Sequence, residues 1–173
     1  QGSSSRLMMH LTRRNLLLTG FLISVLLIVY VLYAEHVLGL EPCPLCILQR
    51  VAVIALGLSF ILLAFRPPQR KQSKFLASLL LVMISSAGVW VAARHVWIQN
   101  LPPDKVPGCG PDLDFMIANF PLSEVLVMVF SGSGECAEIN WSFAFLSMPA
   151  WALIWLIALG SYGVWSIHQK RFN

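Results

Sequence analysis

Four cysteines carry the chemistry open to this sequence: Cys43, Cys46, Cys109 and Cys136. Cys43-Pro44-Leu45-Cys46 is a C-x-x-C, a spacing that lets two thiols open and close a disulfide within one turn of chain. An apolar run begins directly after it, so the motif stands at the mouth of a helix. Cys46 there meets the positive end of the helix dipole, where a thiolate is favoured. Arg50 follows at i+4, on the same helix face, and its cation favours the thiolate further. A fixed positive charge is an unusual choice at the outer edge of a span, and the bland alternative is a side chain that snorkels to the interface.

Cys109 and Cys136 lie in another segment, with Gly108, Gly110 and Gly134 beside them. Glycine leaves the backbone next to a sulfur exposed and deformable, and an exposed disulfide is the exchanging kind. A stapled surface loop has the same composition, so two structural disulfides are the first rival reading. The second is zinc, with Cys43, Cys46 and either His36 or His95 joined by the remaining cysteines. Tight zinc sites draw on closely spaced ligand pairs, and Cys109 is far from Cys136 in sequence; no metal is expected. His95 stands where an apolar run ends, and beside the first cysteine pair it can donate a hydrogen bond to a quinone carbonyl while Arg50 stabilises the charge that develops on reduction. Met148 and Trp151 open the last apolar run at the same depth and can wall an apolar slot, although belt and packing roles explain them equally. His10 and His168 are given no role.

The elements that position these residues are membrane spans. Of the 173 residues, 57% are hydrophobic and 12% charged, too apolar for a water-soluble domain of this size. Four stretches, 16–34, 47–65, 75–93 and 149–167, reach the ~20 apolar residues that a span needs. The expected fold is an all-α membrane protein, a four-transmembrane-helix bundle forming a single integral membrane domain over 1–173. The first run is longer than the apolar core of a secretory signal and is read as a retained span. Gln1 to Leu7 read as an expression scar.

The net charge of +4 reflects topology rather than nucleic-acid binding. Arg13 and Arg14 precede the first span, Arg66, Arg70, Lys71 and Lys74 fill the second connection, and Lys170 and Arg171 follow the last. Short basic loops stay in the cytoplasm. Both termini are therefore expected there, with periplasmic loops at 35–46 and 94–148 holding all eight acidic residues and all four cysteines. In the long loop, Pro102, Pro103, Pro107, Gly108, Gly110 and Pro111 forbid regular structure before Asp112. Pro121 can then open a short helix with Leu122, Val125, Leu126, Val129 and Phe130 at helical spacing. It either lies in the membrane interface or packs on the bundle, and Gly132 and Gly134 end it.

Four blocks of this chain resemble the bacterial disulfide-bond formation protein B family: E-P-C-P-L-C-I-L-Q-R (41–50), R-H-V-W-I-Q (94–99), P-G-C-G-P-D-L-D-F-M (107–116) and G-E-C-A-E-I-N-W-S-F (134–143), the last leading to M-P-A-W (148–151). The resemblance covers nearly the whole chain after Met9. It implies an inner-membrane protein dithiol:quinone oxidoreductase that reoxidises a periplasmic thioredoxin-fold dithiol oxidase and passes two electrons to the membrane quinone pool. Ubiquinone is the expected acceptor, with menaquinone the alternative. The resemblance also implies roles. Cys109 is the cysteine attacked by the partner's thiol, with Cys136 its partner in the resting loop disulfide. Cys136 then exchanges with Cys43, releasing Cys46 as the thiolate that faces the quinone. Arg50 and His95 are the head-group contacts, with Met148 and Trp151 beside them.

Overall fold

The protein is described from a computed structural model, which covers residues 2–106, 108, 113–132, 134–139 and 141–169. The long helices are α1 (Gly2–His36), α2 (Pro44–Phe65), α3 (Lys71–Gln99) and α6 (Met148–His168). All four, α1 over Arg13–His36, are long and apolar enough to cross a membrane, as a multi-pass membrane protein requires. Between α3 and α6 come two short helices, α4 (Leu113–Asn119) and α5 (Leu122–Ser131), and a hairpin of β1 (Ser142–Phe143) and β2 (Leu146–Ser147).

Each long helix extends beyond the stretch that hydropathy marks, because backbone hydrogen bonding continues after the apolar run has stopped. Helix α2 starts at Pro44, which suits a first helical position since its missing N–H has no intrahelical partner there. Helix α3 continues through Arg94 to Gln99, so the R-H-V-W-I-Q block is helical. The connection between α2 and α3 is short, with Ser73 accepting a hydrogen bond from the Arg70 N–H at the start of α3.

Helices α1 and α2 pack most extensively with each other, as do α3 and α6, and the two pairs are joined mainly through α2 and α3. Phe60, Leu56, Leu81, Leu156 and Leu159 form the core between them. Close approach is needed where α2, α3 and α6 meet. A Cβ on Gly88 would lie 2.8 Å from the Ala52 Cβ and 2.9 Å from the Leu156 Cδ2, so any side chain there would hold the helices apart. Nearby, the Ser85 hydroxyl donates to the Leu156 carbonyl at 2.8 Å. Large apolar side chains such as Leu26, Leu62 and Met83 face outward, which water would penalise and lipid does not. At the end remote from the cysteines, buried Arg13 donates through Nη1 to the Pro68 carbonyl, tying α1 to the α2–α3 turn.

The segment between α3 and α6 is more structured than its composition suggests. A single 3₁₀ turn, Pro103–Lys105, forms inside the proline-rich stretch. Helix α5 follows Pro121, as its periodicity predicts, and ends at Gly132, whose φ of +81° few other residues adopt. Val125 and Val129 are buried against Met116 of α4, with Leu48 of α2 alongside, and Phe130 meets Trp90 of α3 edge to face. Leu122, expected on the apolar face, is exposed. The hairpin turns through Ala144 and Phe145, both at positive φ, and the Trp151 indole donates to the Phe143 carbonyl at 3.1 Å.

Candidate active site

Cys43 caps α2 in extended conformation and Cys46 lies in the helix's first turn. One turn of helix brings the Cys43 and Cys46 sulfurs to 3.2 Å. That is well beyond the ~2.05 Å of a covalent disulfide, and the pair is a dithiol in which Cys43 donates to Cys46. Cys43 is buried and Cys46 half-buried. Around them Leu45, Val91 and Ile98 form a second small core, separate from that of the bundle.

Cys136 belongs to that same core. It sits fully buried in a 3₁₀ turn, Gly134–Ala137, held to the preceding loop by a 3.2 Å hydrogen bond from the Gly134 N–H to the Gly108 carbonyl. His95 reaches the cluster from the last turns of α3 and is 2% exposed. Its Nε2 lies 3.1 Å from the Cys136 carbonyl oxygen, and its Nδ1 lies 3.1 Å from the Gln49 amide nitrogen. A carbonyl can only accept, so Nε2 carries the proton and Nδ1 accepts from Gln49. The imidazole thus clasps the backbone of one cysteine segment while Gln49, on α2, fixes its plane. The same ring is 3.8 Å from the Cys43 sulfur and 3.9 Å from that of Cys46.

The ligand atoms of Cys43, His95 and Cys136 lie within 4.8 Å of one another, a grouping compatible in type with a soft metal ion. As hydrogen-bonded, however, the imidazole offers no free lone pair: one nitrogen donates to a carbonyl and the other accepts from an amide. The arrangement suits sulfur exchange better than ligation, because three sulfurs pack in one small apolar core.

On the other side of Cys46 a cavity of about 520 Å³ opens between α1, α2 and α6. Its walls are largely apolar, including Leu27 and Tyr30 of α1 and Trp155 of α6, and Cys46, Arg50, His95, Met148 and Trp151 also line it. Arg50 forms an ion pair with Glu35 of α1 through Nη1 and Oε2. The arrangement can do two things at once. It can pass a disulfide among three neighbouring sulfurs, and it can hold an apolar ring with polar substituents beside the outermost sulfur and a cation.

Residues 13–166 match the profile of the family described as Disulfide bond formation protein DsbB. The chain belongs to this family. Disulfide bond formation protein B of Nitrosococcus oceani is 45% identical over 159 residues, covering 92% of this chain and 94% of that protein. The protein of the same description from Methylococcus capsulatus is 43% identical, covering 87% of this chain and 92% of its own length. That from Acinetobacter baumannii is 45% identical, covering 88% and 91%. Membership makes this a thiol oxidoreductase of disulfide bond formation.

Of the residues that the sequence singles out, the DsbB-family chain brings Cys43, Cys46, Cys136 and His95 into one cluster. It sets Arg50, Met148 and Trp151 on the wall of the adjoining cavity. Cys109, together with Gly110, Pro111 and Asp112, lies outside the described residues. His36 is not part of the cluster, its Nδ1 bonding the Leu32 carbonyl one turn back, and His168 meets Ser78. Two contributors escaped the sequence reading. Gln49 stands three residues after Cys46 and thus on its helix face, a signal that was present and unused. Glu35 had no signal beyond being an acid at the end of a span.

Proposed function

We propose that this chain is a quinone-dependent protein dithiol oxidase of the bacterial inner membrane. Its cysteines face the periplasm and both termini face the cytoplasm, as the distribution of Lys and Arg favours. Its partner is a reduced periplasmic oxidase of thioredoxin fold, and its terminal acceptor is ubiquinone, with menaquinone the alternative.

The observation that carries this reading is the position of Cys136, buried beside Cys43, while Cys46 and Arg50 line an apolar cavity. A partner thiolate attacks the Cys109–Cys136 disulfide at Cys109, forming a mixed disulfide and freeing Cys136. Cys136 then attacks Cys43, breaking the Cys43–Cys46 bond and releasing Cys46 as a thiolate. The partner's second thiol resolves its bond to Cys109, and Cys109 displaces Cys43 from Cys136, which restores the loop disulfide. Each exchange makes one S–S bond and breaks one, so no electrons leave the chain until Cys43 and Cys46 are both reduced. When bound, the quinone takes up the two electrons and two protons released as those thiols close again to a disulfide. Cavity size, apolar walls and a cation beside Cys46 suit such a ring. Arg50 stabilises negative charge there, and His95 holds Cys136 where exchange with Cys43 is short-range.

The test follows quinone absorbance as the purified protein is given the reduced partner. Catalytic loss of absorbance is expected with the wild type. Cys46→Ser is expected to abolish it, by at least about 10³-fold, while the loop still captures the partner as a mixed disulfide. Continued turnover by Cys46→Ser would refute the relay.

A further inference from the structure

Arg50 occupies a demanding position. A guanidinium half-sheltered from water carries a substantial desolvation penalty unless it is paired, and its side chain is only 19% exposed. The partner comes from a different helix. Glu35 stands in the last turn of α1, with its side chain 28% exposed, and its Oε2 accepts from Arg50 Nη1. Among the described residues, it is the one charged side chain that α1 sets on the cavity wall; the other α1 contributions there, such as Leu27, Tyr30 and Ala34, are uncharged.

Two physical consequences follow from that contact. First, an arginine has a long stem with several rotatable bonds, and an ion pair to a neighbouring helix removes most of that freedom. The guanidinium is thereby held at the cavity beside Cys46. Second, the carboxylate opposes part of the cation's field, which is weakly screened in this apolar setting. Glu35 thus sets both where Arg50 points and how strongly it favours a negative charge near Cys46.

We infer that Glu35 is a positioning residue for the electron-acceptor site, acting through Arg50. The inference rests on the quinone-oxidase reading for its effect on acceptor affinity, but its effect on Cys46 does not. A carboxylate that served only to neutralise Arg50 would leave the quinone KM unchanged and give Glu35→Ala and Glu35→Gln the same Cys46 profile.

The experiment compares the full chain in lipid nanodiscs as wild type, Glu35→Ala and Glu35→Gln. One arm measures KM and kcat for a short-chain ubiquinone analogue with reduced partner. The other arm needs no quinone: the reduced protein is alkylated with iodoacetamide across a pH range, and the rate at Cys46 is read by mass spectrometry. The titrating and charged groups facing Cys46 are Cys43 and Arg50 from its own segment, His95 from α3 and Cys136 from the 3₁₀ turn, with Glu35, Glu41, Glu135 and Glu138 on the shared cavity wall. Only Glu35 changes between samples. Glu35→Gln removes the anion while still holding Arg50, so its alkylation profile is expected to move to lower pH; Glu35→Ala also releases the guanidinium, so its profile is expected to lie at higher pH than that of Glu35→Gln. Glu35→Ala is expected to raise the quinone KM on the order of tenfold with a much smaller change in kcat. Glu35→Gln keeps an acceptor for Arg50 and is expected to stay within about threefold of the wild-type KM. A Glu35→Ala protein with unchanged KM and the same Cys46 profile as Glu35→Gln would overturn the inference. If the wild type reduced no quinone, the oxidase reading would fall while the alkylation arm still decided the coupling. Should Glu35→Ala not fold, the profile of Glu35→Gln decides it.

Discussion

The two cysteine-bearing regions are built on opposite plans. Cys43 caps, and Cys46 lies in the opening turn of, a 22-residue helix whose next turns are buried in the bundle at Val53, Leu56 and Phe60. Their separation is set by helical geometry and cannot drift without unwinding a span. Cys136 sits in a four-residue turn, attached by a backbone bond to Gly108 and by the His95 contact to its own carbonyl. Its burial depends on docking rather than on local backbone. The comparison teaches that the proposed relay would need both kinds of sulfur, one pair holding its geometry against the acceptor and another able to arrive and leave.

The sharpest way to break that division is Arg50→Met. It removes a charge from the fixed region alone, so the quinone KM is expected to rise at least about thirtyfold while mixed-disulfide capture of the partner, followed on non-reducing gels, is unchanged. Loss of capture instead would mean that the two regions are not separable. A smaller effect is expected at their junction. Gln49→Leu removes the amide that fixes the His95 ring, a neutral hydrogen bond worth about 1 kcal/mol. Exchange from Cys136 to Cys43, trapped by acid quench and resolved by mass, is expected to slow roughly fivefold. An unchanged rate would show that Cys136 docks without help from the imidazole. The smallest effect belongs to neither region. Ala144 holds φ at +49°, which costs a residue with a Cβ about 1 kcal/mol. Ala144→Gly is expected to raise the melting temperature by about 2–4 °C with turnover unaltered. Altered turnover would bring the hairpin into the mechanism.

What could be read directly from the chain was whatever is local. The C-x-x-C, the following apolar run and Arg50 at i+4 all lie on one helix, so residue spacing alone determines their geometry. Helix α5 announced itself through Pro121, the repeat of Val125 and Val129, and Gly132. Helices α2 and α3 run past the apolar stretches because the peptide hydrogen-bond ladder takes no account of side-chain polarity. The hairpin was invisible for a different reason. Its turn needs positive φ at two positions, which Gly or Asn normally signals, and Ala144-Phe145 carries no such mark. Helix α4 has only seven residues, too few for a period to register. The Glu35–Arg50 pair joins the ends of two helices, and which partner a glutamate chooses is settled by their packing, which no spacing rule encodes.

The 29 residues of α3 make a rod of about 44 Å, against a hydrocarbon core of about 30 Å. His95 is therefore mounted on a stiff mast whose foot is the crossing point at Gly88, seven positions below. Counting residues along that mast is equivalent to setting an angle and a height. Inserting one residue between Gly88 and His95 would swing the imidazole through about 100° and lift it by about 1.5 Å, out of reach of the Cys136 carbonyl and Gln49 together. The neighbouring loops can gain or lose residues by bulging, but this stretch has no slack. The depth at which the sulfurs meet is in effect measured out by a helix that carries none of them.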